Sequence, residues 1–114
     1  MMAFGEALRT LRREANISQR ELAARARVDF SYISKLENGH LPSPAADTIV
    51  KICVALEIEP ERLLSLSGKL PTDVQETMSG STGAQHFLRA AQQLQLTEEE
   101  WSHLRGELRR LREE

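Results

Sequence analysis

Seven basic side chains, Arg9, Arg12, Arg13, Arg20, Arg25, Arg27 and Lys35, fall in a stretch that holds only three acidic ones, Glu14, Glu21 and Asp29. That local excess of positive charge suits a polyanion such as a phosphate backbone, and on a helical protein it equally suits a solvated face. The whole chain carries a formal net charge of −2 over 114 residues, so it is no general polycation. Other chemistries find less support. The single cysteine, Cys53, lies on an apolar stripe, where a buried structural thiol is expected rather than a redox sensor. His86 and His103 stand in separate helical segments without cysteine partners, so no metal site is expected. The Asp, Glu and His residues form no recognisable catalytic constellation; neither an enzyme nor a cofactor is expected.

The elements that must hold the basic residues are helices. Aromatics make up only 4% of the chain and no run alternates Val, Ile, Thr and aromatics, so a core of Leu, Ile, Val and Ala on an all-α fold is expected. Apolar content of 40% is enough for one modest core, or a small domain with an appendage. Phe4, Leu8, Leu11 and Ala15 predict a first helix over 3–15. Ser18 and Glu21 read as a capping box opening a second helix that ends near Ala26. Asp29 reads as the N-cap of a third helix over 30–37, stopped by Asn38-Gly39. In "LPSP", Ser43 is expected to cap, and Pro44 to begin, a fourth helix with Ile49, Ile52, Cys53 and Leu56 inside. Pro60 opens a fifth helix with Leu63 and Leu64 inside.

Composition then shifts. Residues 68–83 mix Gly, Ser, Thr and Pro and read as a linker with a short helix-compatible run at 73–78. A helical pattern resumes at Ala84, and a final helix starts at the Thr97/Glu100 capping box. The expected organisation is a helix-turn-helix domain over 1–67, a linker over 68–83 and a helical dimerisation or interaction segment over 84–114. The lone cysteine, the lack of a basic-then-apolar leader before Leu11 and the lack of an apolar run near the ~20 residues of a membrane span point to a cytoplasmic, nucleoid-associated protein.

Helices two and three are too short to be stable alone, and two such helices joined by Arg27, Val28 and Asp29 have the form of a helix-turn-helix. The residues go further than the spacing. Leu8–x2–Leu11-Arg12, Ile17-Ser18-Gln19–x–Glu21-Leu22-Ala23, Val28, "YISKLENG" from Tyr32 to Gly39, and Pro42 ahead of the Ile49/Ile52/Leu56 helix resemble the Xre-type family of Cro- and lambda-repressor-like regulators over residues 4–66. The resemblance implies a five-helix DNA-binding domain acting as a homodimer on a palindromic operator of double-stranded DNA, and a repressor that occupies a promoter is the expected role. It makes Gln19 a phosphate anchor, with Arg20 beside it. It places Phe30, Ser31 and Lys35 at the base-reading positions of helix three, flanked by Tyr32 and Ser34. Asn38 and His40 fall where the family's loop meets phosphates, and Arg12 and Glu37 match an ion pair tying helix one to the end of helix three.

These residue types fit those roles. Lys35 can donate to guanine O6 or N7, Ser31 can donate or accept, and Phe30 can touch a thymine methyl group. An exposed Phe30 beside a turn suits contact better than packing, whereas Tyr32 suits either. The bidentate Gln or Arg readers common in the family are missing from helix three.

In the last segment Trp101, Leu104, Leu108 and Leu111 recur at spacings of three, four and three, an a/d stripe. Together with Phe87, Leu88 and Leu94 they are expected to form a dimer interface, because a two-helix unit alone buries too little. Gly106 weakens that helix by about 1 kcal/mol or admits a close neighbour. This end resembles the C-terminal helical hook of SinR-like repressors, which implies two helices per chain in the dimer and an antagonist able to replace one partner. The rival readings are an antitoxin or protease-controlled repressor, whose tail binds a toxin or is cleaved, and a helical interaction module without DNA binding.

Overall fold

Apolar residues at helical spacing need a common place to bury, and in this chain they find it in the first two thirds of the sequence. The computed structural model describes residues 3–113, and among them every element is helical: α1 (Phe4–Glu14), α2 (Gln19–Ala26), α3 (Phe30–Glu37), α4 (Ala46–Leu56), α5 (Glu61–Ser67), α6 (Thr72–Ser79), α7 (Thr82–Leu94) and α8 (Glu98–Arg110). Two compact units divide the chain, Met1–Gln75 and Glu76–Glu114. No helix among the described residues is long and apolar enough to cross a membrane.

In the first unit α3 packs on α1 and α2, α4 on α2, and α5 on α1 and α4. Leu8, Leu22, Ile33, Leu36, Ile49, Ile52 and Leu63 are fully buried at the centre. Each such side chain contributes about 1.5–3 kcal/mol on leaving water, which the eight-residue α2 and α3 require because helices that short do not persist alone. α1 lies close to the end of α3 because Gly5 has no side chain. A Cβ there would collide with the carbonyl oxygen of Leu36 and come within 2.8 Å of that of Glu37.

Several local expectations need correction. α4 starts at Ala46 with no side-chain cap, not at Pro44 behind a Ser43 cap. Pro44 is buried, and the ammonium of Lys69 takes the carbonyl oxygens of Ser43 and Pro44 at 3.0 and 2.9 Å, which holds that loop non-helical. The Ser18 box is half formed: Ser18 Oγ accepts from the Glu21 N–H, but the Glu21 carboxylate pairs with Arg25 at 2.7 Å. Asp29 occupies the N-cap position of α3 without a side-chain capping bond. By contrast, the helix-compatible run expected at 73–78 does lie within a helix, α6, whose first N–H and Thr72 hydroxyl both donate to the carboxylate of Asp47, at 3.1 and 2.7 Å. The Thr72 hydroxyl foremost, then its backbone N–H, holds the Asp47 pKa below the ordinary value.

The second unit is open. Thr97 and Glu100 form a complete capping box at the start of α8, and Gln95 ends α7 in the left-handed conformation. Of its described residues only Ala91 is buried. Phe87, Leu94, Trp101, Leu108 and Leu111 remain 40–74% exposed, and α7 and α8 flank an apolar groove floored by Ala91 and Leu104.

Candidate nucleic-acid interface

The corner between α2 and α3 is closed by backbone geometry. Arg27 adopts φ +58°, and the N–H groups of Arg27 and Val28 return to the carbonyls of Ala24 and Ala23 at 3.3 and 3.0 Å. This is a Schellman-type stop with arginine where glycine is usual, at a cost of roughly 1 kcal/mol. Leu22, Ala23 and Ala26 of α2 and Ile33 and Leu36 of α3 are buried behind the corner, which fixes how far α3 projects.

Glu37, the last residue of α3, anchors that projection. Its side chain is fully buried, and its carboxylate accepts from Arg12 twice, Nε to Oε2 at 2.6 Å and Nη2 to Oε1 at 2.9 Å. The Gln19 amide adds a third bond at 3.0 Å and Arg9 Nε a fourth at 3.4 Å. Burial alone would push the Glu37 pKa up; the bonds from Arg12, Gln19 and Arg9 and the Arg12 charge outweigh it, and the net shift is downward. The bond that Arg12 donates to Glu37 raises the Arg12 pKa, against the lowering effect of burial. Arg12 Nη1 also donates to the Ile17 carbonyl at 2.9 Å, so α1, the α1–α2 loop, α2 and α3 meet at one buried charge pair.

On the outer side of α3, Ser31 and Lys35 are exposed, one turn apart on a single face. Ser34 is half-buried, with its hydroxyl accepting from the Asn38 amide at 3.4 Å. Asn38 in turn accepts from Arg9 Nη2 at 2.6 Å, and His40 is exposed just beyond Gly39, which takes φ +75°. Tyr32 is half-buried against the core, which raises its pKa. Phe30 is not the exposed ring expected from the sequence. It packs against the core, and the Arg20 guanidinium lies 4.4 Å from its ring centroid. Gln19 is half-buried, with its amide committed to Glu37.

Arg9, Arg13, Ser18, Gln19, Arg20 and Phe30 border one open hollow between the end of α1 and the starts of α2 and α3. Arg9 and Arg13 had no assigned role in the sequence, although their spacing with Arg12 puts all three near one face of α1. No group of three or more His, Cys, Asp or Glu among the described residues could hold a metal ion. A basic hollow beside an exposed polar face on a short second helix is the arrangement of a helix-turn-helix, in which phosphate contacts position and base contacts specify.

Comparison with known proteins agrees with this class. A sequence model of the helix-turn-helix family matches residues 8–63. The chain is 30% identical over 113 residues to the HTH-type transcriptional regulator RghRB of Bacillus subtilis (strain 168), covering 91% of this chain and 81% of that protein. It is 40% identical over 68 residues to the repressor RghR of the same organism, covering 60% of this chain and 50% of that one. Among solved structures, the restriction-modification controller protein C.AhdI from Aeromonas hydrophila is 38% identical with a TM-score of 0.50, over 53% of this chain and 86% of that chain. A structure of a SinR protein/SinI protein complex superposes with a TM-score of 0.52 over 97% of this chain and 99% of that chain; at 20% identity it speaks to fold alone. The chain belongs to the helix-turn-helix family of Xre-type, DNA-binding transcriptional regulators.

Proposed function

We propose that this regulator is a non-catalytic cytoplasmic repressor that binds a palindromic operator as a homodimer, with α3 in the major groove and the hollow at the start of α2 against the phosphate backbone. The observation that carries the DNA part is the exposed pair Ser31 and Lys35 on a helix whose other side is fixed by the buried Glu37 carboxylate. A reader must be rigid, and the end of this one is held by Arg12 and Arg9 of α1 and Gln19 of α2. Lys35 donates to guanine and Ser31 contacts the adjacent base, with Tyr32 and Ser34 beside them. Gln19, Arg20, Asn38 and His40 take phosphates.

The dimer is supported by the apolar faces of α7 and α8. Phe87, Leu94, Trp101, Leu108 and Leu111 stay exposed and Leu88 and Leu104 half-buried along this face, a run of apolar side chains that burial against a partner would take out of water. A second copy covers it and sets two reading heads about one turn of DNA apart. The same groove, lined by Phe87, Ala91, Leu94 and Leu104, also suits an antagonist that presents similar apolar helices.

Selection of bound duplexes from random DNA tests the proposal: a palindromic site should emerge, with binding that falls steeply as salt rises. Lys35→Ala should then cost about 1–3 kcal/mol and relax preference at one position of each half-site. Gln19→Ala is the less clean probe because its amide also supports Glu37. Failure of the wild-type chain to enrich any sequence would sink the operator reading.

A further inference from the structure

The side chain at the start of α3, where a base reader was expected, is a phenylalanine whose face is already taken. Arg20 lies over the Phe30 ring at 4.4 Å, and the ring itself packs against the core. A guanidinium is weakly hydrated and stacks on aromatic faces while the N–H donors along its edge stay free. Neither Arg20 nor Arg13 is paired with a carboxylate among the described residues; the ion pairs there involve Arg9, Arg12, Arg25, His103 and Arg110. Arg20 therefore reaches the hollow with its charge uncompensated and its position restrained. Arg9 and Arg13 border the same hollow from α1.

We propose that Phe30 is a positioning residue: its ring holds the Arg20 guanidinium toward the hollow, where Arg20, with Arg13 beside it, grips a DNA phosphate, and Phe30 touches no base. The inference rests on the DNA-bound reading above and reassigns one residue within it. An unrestrained arginine gives up rotamer freedom when it binds, and stacking on Phe30 removes part of that loss beforehand. A phosphate contact adds affinity to every sequence alike, whereas a base contact adds it to one.

The test measures binding of the full chain to the duplex that it selects and to single-base variants of that duplex, over a range of salt. Arg20→Ala should weaken all of these duplexes by the same factor and lower the salt slope by about one per chain. Phe30→Leu, which keeps an apolar side chain against the core, should show the same sequence-blind loss, two- to five-fold, the range of an exposed cation–π contact. Phe30→Tyr should restore wild-type binding, and Phe30→Leu should add nothing in an Arg20→Ala background. A changed base preference in Phe30→Leu, or a loss that persists without Arg20, would overturn the proposal. So would an unchanged salt slope in Arg20→Ala, which leaves the core intact and reads out even where a Phe30 variant unfolds. If the wild-type chain selects no duplex, the DNA-bound reading itself fails; if it selects one and these variants act independently, only the role of Phe30 falls.

Discussion

The Arg12 guanidinium grips the Glu37 carboxylate with two of its nitrogens, at 2.6 and 2.9 Å, inside the first unit. Both partners lie almost out of solvent, so the pair is worth less as a source of stability than as a constraint: removing either side strands a charge.

Replacing Glu37 by Ala should therefore destabilise the first unit by about 3–5 kcal/mol in urea unfolding. The pH dependence follows from the lowered pKa. Glu37 contributes stability that is fully present above the unfolded carboxylate value near 4.3, and that is lost as pH falls through its lower folded value. Glu37→Gln should flatten the fall in urea midpoint below about pH 4.5. An equally steep fall in that variant would contradict the assignment.

Two glycines should respond in opposite directions to the same change. Gly5→Ala forces backbone apart where α1 meets the end of α3, and should cost about 1–3 kcal/mol. Gly106→Ala meets open space within α8 and should gain about 1 kcal/mol of helix stability. Thermal melts of the two variants check this, and a loss of dimer in Gly106→Ala would show a partner helix lying against that position.

Cys53 is fully buried, and burial foremost, then the Glu61 charge, pushes its pKa up to about 11. At pH 8 a thiol reagent should modify it only as fast as the first unit unfolds, and at full speed in denaturant. Rapid labelling of the native protein would mean that α4 opens locally.

Leu108 and Leu111 are 63% and 74% exposed, so acidic substitutions there leave the packing within the chain alone. The pair Leu108→Asp and Leu111→Asp should halve the mass seen by sedimentation without changing unfolding of the first unit. An unchanged mass would contradict the proposed dimer contact through α7 and α8.

The sequence carried α2 and α3 well because their signals are local. Ser18 caps, Leu22, Ile33 and Leu36 face inward, and Gly39 ends α3. What stayed hidden depends on residues distant in the chain. The need for Gly5 arises only once the end of α3 is brought against it, and Lys69 acts on carbonyls 25 and 26 residues earlier. Arg27, Glu57 and Gln95 end their helices in the left-handed conformation without glycine, so no residue type marked those turns. In the candidate interface, Ser31 and Lys35 are exposed because helical spacing from the buried Ile33 and Leu36 turns them outward. The stack of Arg20 on Phe30 does not follow from helical spacing, because it joins first turns of two different helices.

The buried Glu37 knot fastens α3 at its C-terminal end, on the side away from Ser31 and Lys35. The residues that fix α3 and the residues it exposes are thereby different ones. The outward pair can be exchanged for other side chains without disturbing the charge pair, so under the proposed DNA-bound reading such exchanges should alter the sequence preference and leave the scaffold intact.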